Sequence, residues 1–170
     1  MSDMEKSLSA EFDTIVKAFD FDGQMATKCR ALLAVVDSEM DEFAAYYWDY
    51  WVSFGNTEQL RNPDYIAVMV KSTANYIRER MRDIKGTTWR EYLKAQIIAA
   101  CKDRVPLGHL LAASTRASLR YFDIFDAKLE ASDPKRDQLM KTVHDFTSME
   151  LAVTSACYVH YQKIVQREQK

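Results

Sequence analysis

Glycine and proline are scarce in this chain. Its 170 residues contain only 4 glycines and 3 prolines, and no glycine lies close to another glycine. Four isolated glycines cannot form a glycine-rich phosphate loop, so the sequence argues against P-loop and dinucleotide-binding enzymes. Because the glycines and prolines separate long segments and do not punctuate short strands, they indicate breaks between helices. We expect an all-α fold, organised as a single domain over residues 1–170.

Cysteine and histidine are also scarce, and their spacing is unlike that of metal sites. The three cysteines, Cys29, Cys101 and Cys157, are odd in number and form no C-x-x-C pair. This predicts small core residues in a reducing compartment. No Asp or Glu lies three residues before a histidine, which argues against a bundle di-iron site. Cys157 and His160 supply only two ligands of a tetrahedral site. We predict no metal site, no catalytic residue and no enzyme activity.

An excess of one charge sign and long apolar runs are both missing. Lys and Arg total 23 against 25 Asp and Glu, and the basic residues of segment 78–82 form one of the longest basic clusters. This balance predicts no nucleic-acid partner. Apolar runs such as residues 65–70 are too short to span a bilayer, and the acidic start lacks a signal-peptide pattern. We expect a cytoplasmic protein without membrane insertion.

Helix-start signals divide the chain into long amphipathic segments. Two signals are capping boxes, in which Ser or Thr precedes a carboxylate by three residues, and two are a capping residue followed by proline. In chain order they are Ser38 to Asp41, Asn62-Pro63, Thr88 to Glu91 and Asp133-Pro134. Two earlier helices are predicted over residues 8–19 and 24–36. Pro106 ends the helix that begins near Thr88 and precedes another over residues 107–131.

The last predicted helix, at about residues 135–170, is unusually long. Roughly 34 helical residues span about 50 Å, which is more than a domain of this size needs. We therefore expect part of it to contact a partner subunit or to continue as a coiled coil. A single long bundle helix remains the alternative.

Aromatic residues are concentrated in one predicted helix. Residues 43–51 include six aromatic side chains in nine positions. Aromatic residues at helical spacing are most often core residues. However, buried tyrosine and tryptophan need partners for their polar atoms, so a pocket or an interface remains open.

The segment 101–108, CKDRVPLG, together with the helix order and the aromatic helix, resembles the sensor-globin domain of globin-coupled sensors. In that family the helix below the haem ends in a pattern close to Val-His-x-Arg-Ile-Gly-aliphatic-Pro, whose histidine binds iron. Arg104, Val105 and Leu107 match the pattern, whereas Lys102 occupies the histidine position. The same register places Tyr47 on the tyrosine that hydrogen-bonds oxygen in the family, and Met69 near the distal position. The resemblance therefore implies a globin-like helical sensor domain.

Lys102 at the position of the iron ligand argues against haem binding. Lys102 would have to lose a proton with an ordinary pKa of about 10.4 before it could bind iron. Cys101 points about 100° around the helix from the ligand position, and His109 lies roughly 10 Å further along. We therefore expect no cofactor, and Lys102 is expected to be a solvated cation at a helix end. Two alternatives stay open: a haem-binding oxygen sensor with Cys101, Lys102 or His109 as an unusual axial ligand, and a ligand-free helical dimerisation scaffold.

The resemblance also implies partners. Members of the family dimerise through their last two helices, so a homodimer through a four-helix bundle is expected here. The predicted interface residues are Tyr121, Phe122, Phe125, Phe146, Glu150, Val153 and Cys157. The last helix would lead to a downstream signalling module of the same polypeptide. By family analogy, the parent protein is expected to be a soluble chemotaxis transducer, ahead of a diguanylate cyclase or a kinase.

Overall fold

The computed structural model describes residues 3–55 and 57–168, and these residues form helices and turns without any strand. The α-helices are α1 (Asp3–Phe19), α2 (Met25–Val36), α3 (Met40–Phe54), α4 (Pro63–Arg82), α5 (Thr88–Lys102), α6 (Leu107–Lys128) and α7 (Pro134–Glu168). Short 3-10 turns precede α3 and α4. The all-α prediction is confirmed. The final two residues of the predicted last helix, 169 and 170, lie outside the described residues.

The long helix α7 is the centre of the packing. It contacts α1, α2, α5 and α6. Helix α3 packs against α4 and α6, and α4 also packs against α2 and α5. One face of α7 is buried from Leu139 to Val165. Most of its length therefore serves the core of its own chain, as expected for a long bundle helix. The length of α7 is therefore not evidence for a contact with a partner subunit.

Two predicted helix starts are confirmed at the level of hydrogen bonds. The Asn62 side-chain oxygen accepts hydrogen bonds from the backbone N–H groups of Asp64 and Tyr65, at 3.0 and 3.4 Å. The Asp133 carboxylate accepts one from the N–H of Lys135 at 2.8 Å. These side chains satisfy N–H groups that have no partner within the helix.

The two predicted capping boxes are wrong. Ser38 lies inside a 3-10 turn, and its hydroxyl donates to the Glu39 carboxylate. Thr88 is already the first residue of α5, and Thr87 before it has a helical backbone and no side-chain capping bond. A capping residue normally has an extended backbone, so that its side chain can reach back to the first N–H groups. Neither start provides that geometry.

Helix α5 ends in a hydrogen-bonded motif that the sequence does not predict. The N–H of Val105 bonds to the carbonyl of Ala100, and the N–H of Arg104 bonds to that of Cys101. These are the paired bonds of a Schellman motif, which places Arg104 at the position usually held by glycine. Arg104 accordingly has a φ of 57°. Pro106 follows and cannot continue the helix.

The cysteines and the membrane prediction can be compared with the structure directly. Cys29, Cys101 and Cys157 are buried and free, which confirms the prediction of core residues. Along the described ranges, no helix combines the length and apolar character needed to cross a bilayer.

Candidate functional site

The aromatic helix α3 has an outer and an inner set of rings. In the outer set, the Tyr46 carbonyl accepts a hydrogen bond from Arg116, whose guanidinium carbon lies 3.9 Å from the centre of the Tyr46 ring. The Tyr50 hydroxyl lies 2.8 Å from Nδ1 of His109. These contacts join α3 to the outer side of α6 and leave the inner rings to face the protein interior.

The inner rings border an internal cavity of about 190 Å³ between α3, α4, α5, α6 and α7. Helices α1 and α2 contribute none of its lining residues among those described. The exposed residues Thr57 and Gln59 line its outer end, which gives a path from solvent. The inner lining residues with the largest or most polar side chains are Phe43, Tyr47, Trp48, Trp51, Thr73, Tyr76, Ile77, Arg80, Tyr92, Ile97, Ser114, Tyr121, Thr147, Glu150 and Thr154.

A hydrogen bond joins α3 to α4 in the wall of the cavity. The Trp48 indole N–H donates to the hydroxyl of Thr73 at 2.9 Å. Burial raises the pKa of the Tyr92 phenol, and the nearby Thr73 hydroxyl offsets part of that rise. One threonine therefore lies beside an aromatic ring from each neighbouring helix, and its bond to Trp48 helps to hold the rings around the cavity.

An ion pair between α4 and α7 forms the charged part of the wall. A guanidinium nitrogen of Arg80 lies 2.8 Å from the Glu150 carboxylate, and another donates to the Tyr76 hydroxyl at 2.8 Å. The guanidinium carbon lies 4.2 Å from the centre of the Phe146 ring. The Arg80 side chain is 1% exposed, whereas that of Glu150 is 20% exposed. The charge of Arg80 is thus balanced inside the protein.

The surroundings shift the ionisation of the groups at the cavity. Burial is the largest single effect on Arg80 and lowers its pKa, but the charge and hydrogen bond of Glu150 together with the phenols of Tyr76 and Tyr121 outweigh it, so the pKa is raised. Burial raises the pKa of Tyr47, Tyr76 and Tyr121. Because these shifts favour the charged arginine and the neutral phenols, the site holds one cation at neutral pH and no tyrosinate.

One polar atom at the cavity has no partner. Within the described part of the chain, Nε of Arg80 makes no hydrogen bond, although it is fully buried. The other buried atoms of this kind are Nε of Arg90 and Nε2 of His160. Neither Arg90 nor His160 lines the cavity.

The structure separates the residues that the sequence placed in a haem pocket. Tyr47 lines the cavity, as its predicted position requires. Met69 is half-buried, Cys101 is buried, and Lys102 and His109 are exposed; none of these four is among the cavity residues. Lys102 lies in the last turn of α5, at a helix end as expected for a solvated cation.

The cavity does not fit haem. About 190 Å³ is smaller than the roughly 300–1,000 Å³ of pockets for drug-sized ligands, and a porphyrin is at least drug-sized. No His, Cys or Met side chain is found among the described lining residues. Tyrosine binds iron as the anion, and burial disfavours that anion at Tyr47, Tyr76 and Tyr121. Along the described residues there is also no group of three or more His, Cys, Asp or Glu side chains that could hold a metal ion.

The predicted interface residues need a correction. Five of the seven are at most 2% exposed within one chain, and these are Tyr121, Phe125, Phe146, Val153 and Cys157. Their side chains fill the core around α7, so they are not surface residues of this chain. Phe122 and Glu150 are half-buried, and Glu150 lines the cavity. The heptad pattern of α7 follows the face that the chain itself buries.

Sequence reasoning missed Arg80 as a site residue. A signal for it exists, because Thr73, Ile77 and Arg80 are spaced by four and three residues on one face of α4, and all three are buried. Glu150 likewise occupies an apolar position of the heptad in α7. Two opposite charges, each on the apolar face of its helix, indicate a buried pair.

Comparisons of the chain with protein families, with curated proteins and with solved structures find no match.

Proposed function

We propose that this chain is a globin-like, haem-free sensory domain whose internal cavity takes a small molecule and whose long helix α7 transmits its presence. The observation that carries the proposal is the cavity beneath Tyr47, which borders both α4 and α7. A scaffold without a ligand would pack this space with side chains, since protein interiors are normally filled to the density of organic crystals. The cavity therefore favours a sensor over a scaffold.

The position of the cavity supports the globin-like part of the proposal. It lies between α4 and α5, with the α3 tyrosine Tyr47 at its edge and α6 and α7 behind it. The resemblance of segment 101–108 implies a pocket beside Tyr47, and Tyr47 is the one of its pocket residues that lines the cavity. Its iron ligand is replaced by the exposed Lys102. A haem-free sensor needs a pocket but no residue that binds iron, and this combination is found here.

The route from cavity to output runs through α7. Thr147, Glu150 and Thr154 lie along α7 and line the cavity, and Glu150 is paired with Arg80 of α4. A molecule in the cavity would contact α7 directly and change the balance of the ion pair. Such a contact biases the packing of α7 against its neighbours, which is the rigid-body type of switching. A signalling module attached after α7 would receive that change.

A homodimer remains part of the proposal, with a different surface from the one predicted. The exposed apolar residues of α6 and α7 include Leu119, 56% exposed, and Met140, 39% exposed. Phe122, Met140 and His144 also line a shallow groove between the two helices. We assign the four-helix bundle to this outer face. Sedimentation equilibrium should show a dimer that Leu119→Lys dissociates and Val68→Lys, at an exposed site on α4, leaves intact. Equal effects of both variants would contradict this face.

The parent protein is proposed to be a soluble cytoplasmic chemotaxis transducer. This rests on the resemblance to globin-coupled sensors and on the lack of a catalytic constellation in the sequence. A diguanylate cyclase or a kinase would use the same type of input domain.

Filling the cavity tests the sensory function without knowledge of the ligand. Ser114 lines the cavity on α6, whereas its neighbour Thr115 is exposed and does not. Ser114→Leu should imitate occupancy and change amide hydrogen exchange in α7 around residues 147–154 several-fold, while α1 and α2 keep their rates. Thr115→Leu is the matched control and should leave α7 unchanged. If Ser114→Leu also leaves α7 unchanged, the cavity does not communicate with α7 and the proposal fails.

A further inference from the structure

The buried charges on the cavity wall balance each other. Arg80 and Glu150 form an ion pair at 2.8 Å, and the Arg80 side chain is only 1% exposed. Its Nε is enclosed by neighbouring protein atoms, so it offers no donor to a molecule in the cavity. Asp103 is the remaining charged residue among the described lining residues, and it is exposed to solvent. The inner wall therefore carries no net charge.

A balanced pair gives neither sign of ligand charge an advantage. A cation in the cavity would be attracted by Glu150 and repelled by Arg80, and an anion would experience the reverse. Either ion would also lose hydration on entering a space enclosed by α3 to α7, and a buried charge without its own partner is costly. Because the attraction and the repulsion largely cancel while the cost of desolvation remains, the cavity favours an uncharged molecule.

Aromatic side chains surround the cavity. Eight of the described lining residues are aromatic, and they come from α3, α4, α5 and α6. The rings of Tyr47 and Trp48 meet edge to face with their centres 5.9 Å apart, and Trp48 meets Tyr65 of α4 in the same way at 6.4 Å. The indole N–H of Trp48 is used by Thr73. A wall of this kind packs well against a further ring, in offset or edge-to-face geometry.

The rest of the lining and the size of the cavity restrict the molecule further. The buried side chains of Ile77, Leu93 and Ile97 line it on α4 and α5 and carry no polar atoms, so apolar contact is the main source of binding free energy there. An engineered apolar cavity of about 150 Å³ in another protein binds benzene. The present cavity of about 190 Å³ has room for one ring and a small substituent.

We propose that the cavity binds an uncharged molecule of one aromatic ring with a small apolar substituent, a ligand of the alkylbenzene class. Its ring packs against the aromatic side chains of the wall, and it brings no charge to the balanced pair of Arg80 and Glu150. This inference rests on the proposed function, because it names the chemistry of the molecule that the sensory cavity takes.

Calorimetric titration of the unaltered chain near neutral pH tests the charge requirement with three probes. Ethylbenzene and benzylammonium have the same number of heavy atoms, and benzoate is similar in size. Ethylbenzene should bind at least about tenfold more tightly than benzylammonium, because only the ion loses a strong hydration shell. Benzoate should bind most weakly, since Glu150 is the more accessible partner of the pair. Equal or tighter binding of either ion, or no binding of ethylbenzene, would overturn the proposal.

Benzene and cyclohexane test the role of the aromatic wall. The two molecules have the same number of carbon atoms, but only benzene can make ring–ring contacts with the wall. Benzene should therefore bind several-fold more tightly. Equal binding, or tighter binding of cyclohexane, would show that the cavity selects apolar bulk alone and would overturn the aromatic assignment.

Two variants place the probes in the cavity and test the charge argument. Ser114→Leu should weaken ethylbenzene binding at least about tenfold, and Thr115→Leu should leave it unchanged; binding that survives Ser114→Leu would place the site elsewhere. Glu150→Gln leaves the charge of Arg80 unbalanced, so the preference for ethylbenzene over benzoate should become several-fold smaller. An unchanged preference would contradict the charge argument. If Glu150→Gln does not fold, the probes and the Ser114→Leu pair still decide.

Failure of this inference and failure of the sensory function have different signatures. If the ligand class is wrong, ethylbenzene does not bind, while Ser114→Leu still changes hydrogen exchange in α7. If the sensory function is wrong, ethylbenzene binds but α7 keeps its exchange rates both with the ligand and in Ser114→Leu.

Discussion

A buried arginine is costly to place in a protein interior, and Arg80 shows what makes it possible. Glu150 balances its charge, one guanidinium nitrogen donates a hydrogen bond to the Tyr76 hydroxyl, and the Phe146 ring lies beside it. Buried ion pairs of this kind contribute little net stability compared with apolar replacements, but breaking one half is expensive. At the scale of single residues, the site therefore depends on both partners at once.

Glu150→Gln should destabilise the protein by about 3 kcal/mol. The substitution keeps the shape of the side chain but leaves Arg80 charged and buried beside a neutral partner; the expected value is at the lower end for a broken buried pair because Glu150 is 20% exposed. Urea unfolding measures the change. Glu39→Gln is the control, since Glu39 pairs with Lys128 at the surface, where solvent screens the pair, and its effect on unfolding should be clearly smaller. Similar losses in both variants would mean that the Arg80 pair is as solvated as a surface pair.

Arg104 is the second residue with a clear energetic signature. Its φ of 57° is strained for a side chain with a Cβ atom and is free of strain for glycine. Arg104→Gly should therefore be more stable than Arg104→Ala by about 1 kcal/mol. The midpoints of urea unfolding measure the difference.

The matched control for Arg104 lies two residues earlier. Lys102 is within α5, so Lys102→Gly should be less stable than Lys102→Ala by about 1 kcal/mol. Compared with alanine, glycine should thus stabilise the protein at position 104 and destabilise it at position 102. A preference for alanine at position 104 would show that the Schellman motif does not persist in solution.

At the scale of the helices, the sequence predicted the number and order of long segments well but only part of their ends. Helices start where the backbone permits a cap: Asn62 has an extended backbone and caps α4, whereas Ser38 lies inside a 3-10 turn. The capping-box pattern at Ser38 and Thr88 describes side chains only, and it contains no information on that backbone. Helix α5 ends at Lys102, ahead of Pro106, in a Schellman motif that lacks the usual glycine.

Asn62→Ala should cost about 1 kcal/mol of stability, because it removes the acceptor for two N–H groups of α4. Thr88→Ala is the control, since no side-chain cap exists at the start of α5, and its change should stay within about 0.5 kcal/mol. Both can be read from thermal or urea unfolding. A larger loss for Thr88→Ala than for Asn62→Ala would reverse our assignment of the caps.

At the scale of the whole molecule, most of the residues predicted for the subunit interface belong to the core of the chain itself. The heptad positions of α7, such as Val153 and Cys157, are fully buried by α7's neighbours within the chain. Hydrophobic periodicity tells which face of a helix is buried but not which chain buries it. The aromatic run of residues 43–51 left a pocket open, and four of its rings line the cavity. The size of the cavity could not be predicted, because it depends on how five helices leave space between them, and the sequence reasoning did not use the paired core charges Arg80 and Glu150.

Buried acidic protons should make the folded protein sensitive to alkali. Burial raises the pKa of the Cys29 thiol to about 11 and that of Cys157 to about 12, from an ordinary value of 9.0. Above pH 9 the unfolded chain releases these protons while the folded chain retains them, so the unfolded state binds fewer protons and stability falls as pH rises. Urea midpoints should decline steadily from about pH 9 to about pH 11.

The double variant Cys29→Ala, Cys157→Ala provides the control for this decline. Removing both thiols should make the slope between about pH 9 and about pH 10 shallower, since the buried tyrosines contribute mainly at higher pH. An unchanged slope would assign the alkaline sensitivity to other groups.

The central proposal is that this chain is a globin-like domain that senses without haem. The absorption spectrum of the purified chain, mixed with an equal amount of haem and passed through gel filtration, tests it most directly. Because the cavity is too small for a porphyrin and offers no suitable iron ligand, we predict that no Soret band elutes with the protein. A Soret band that remains with the protein in stoichiometric amount would contradict the account.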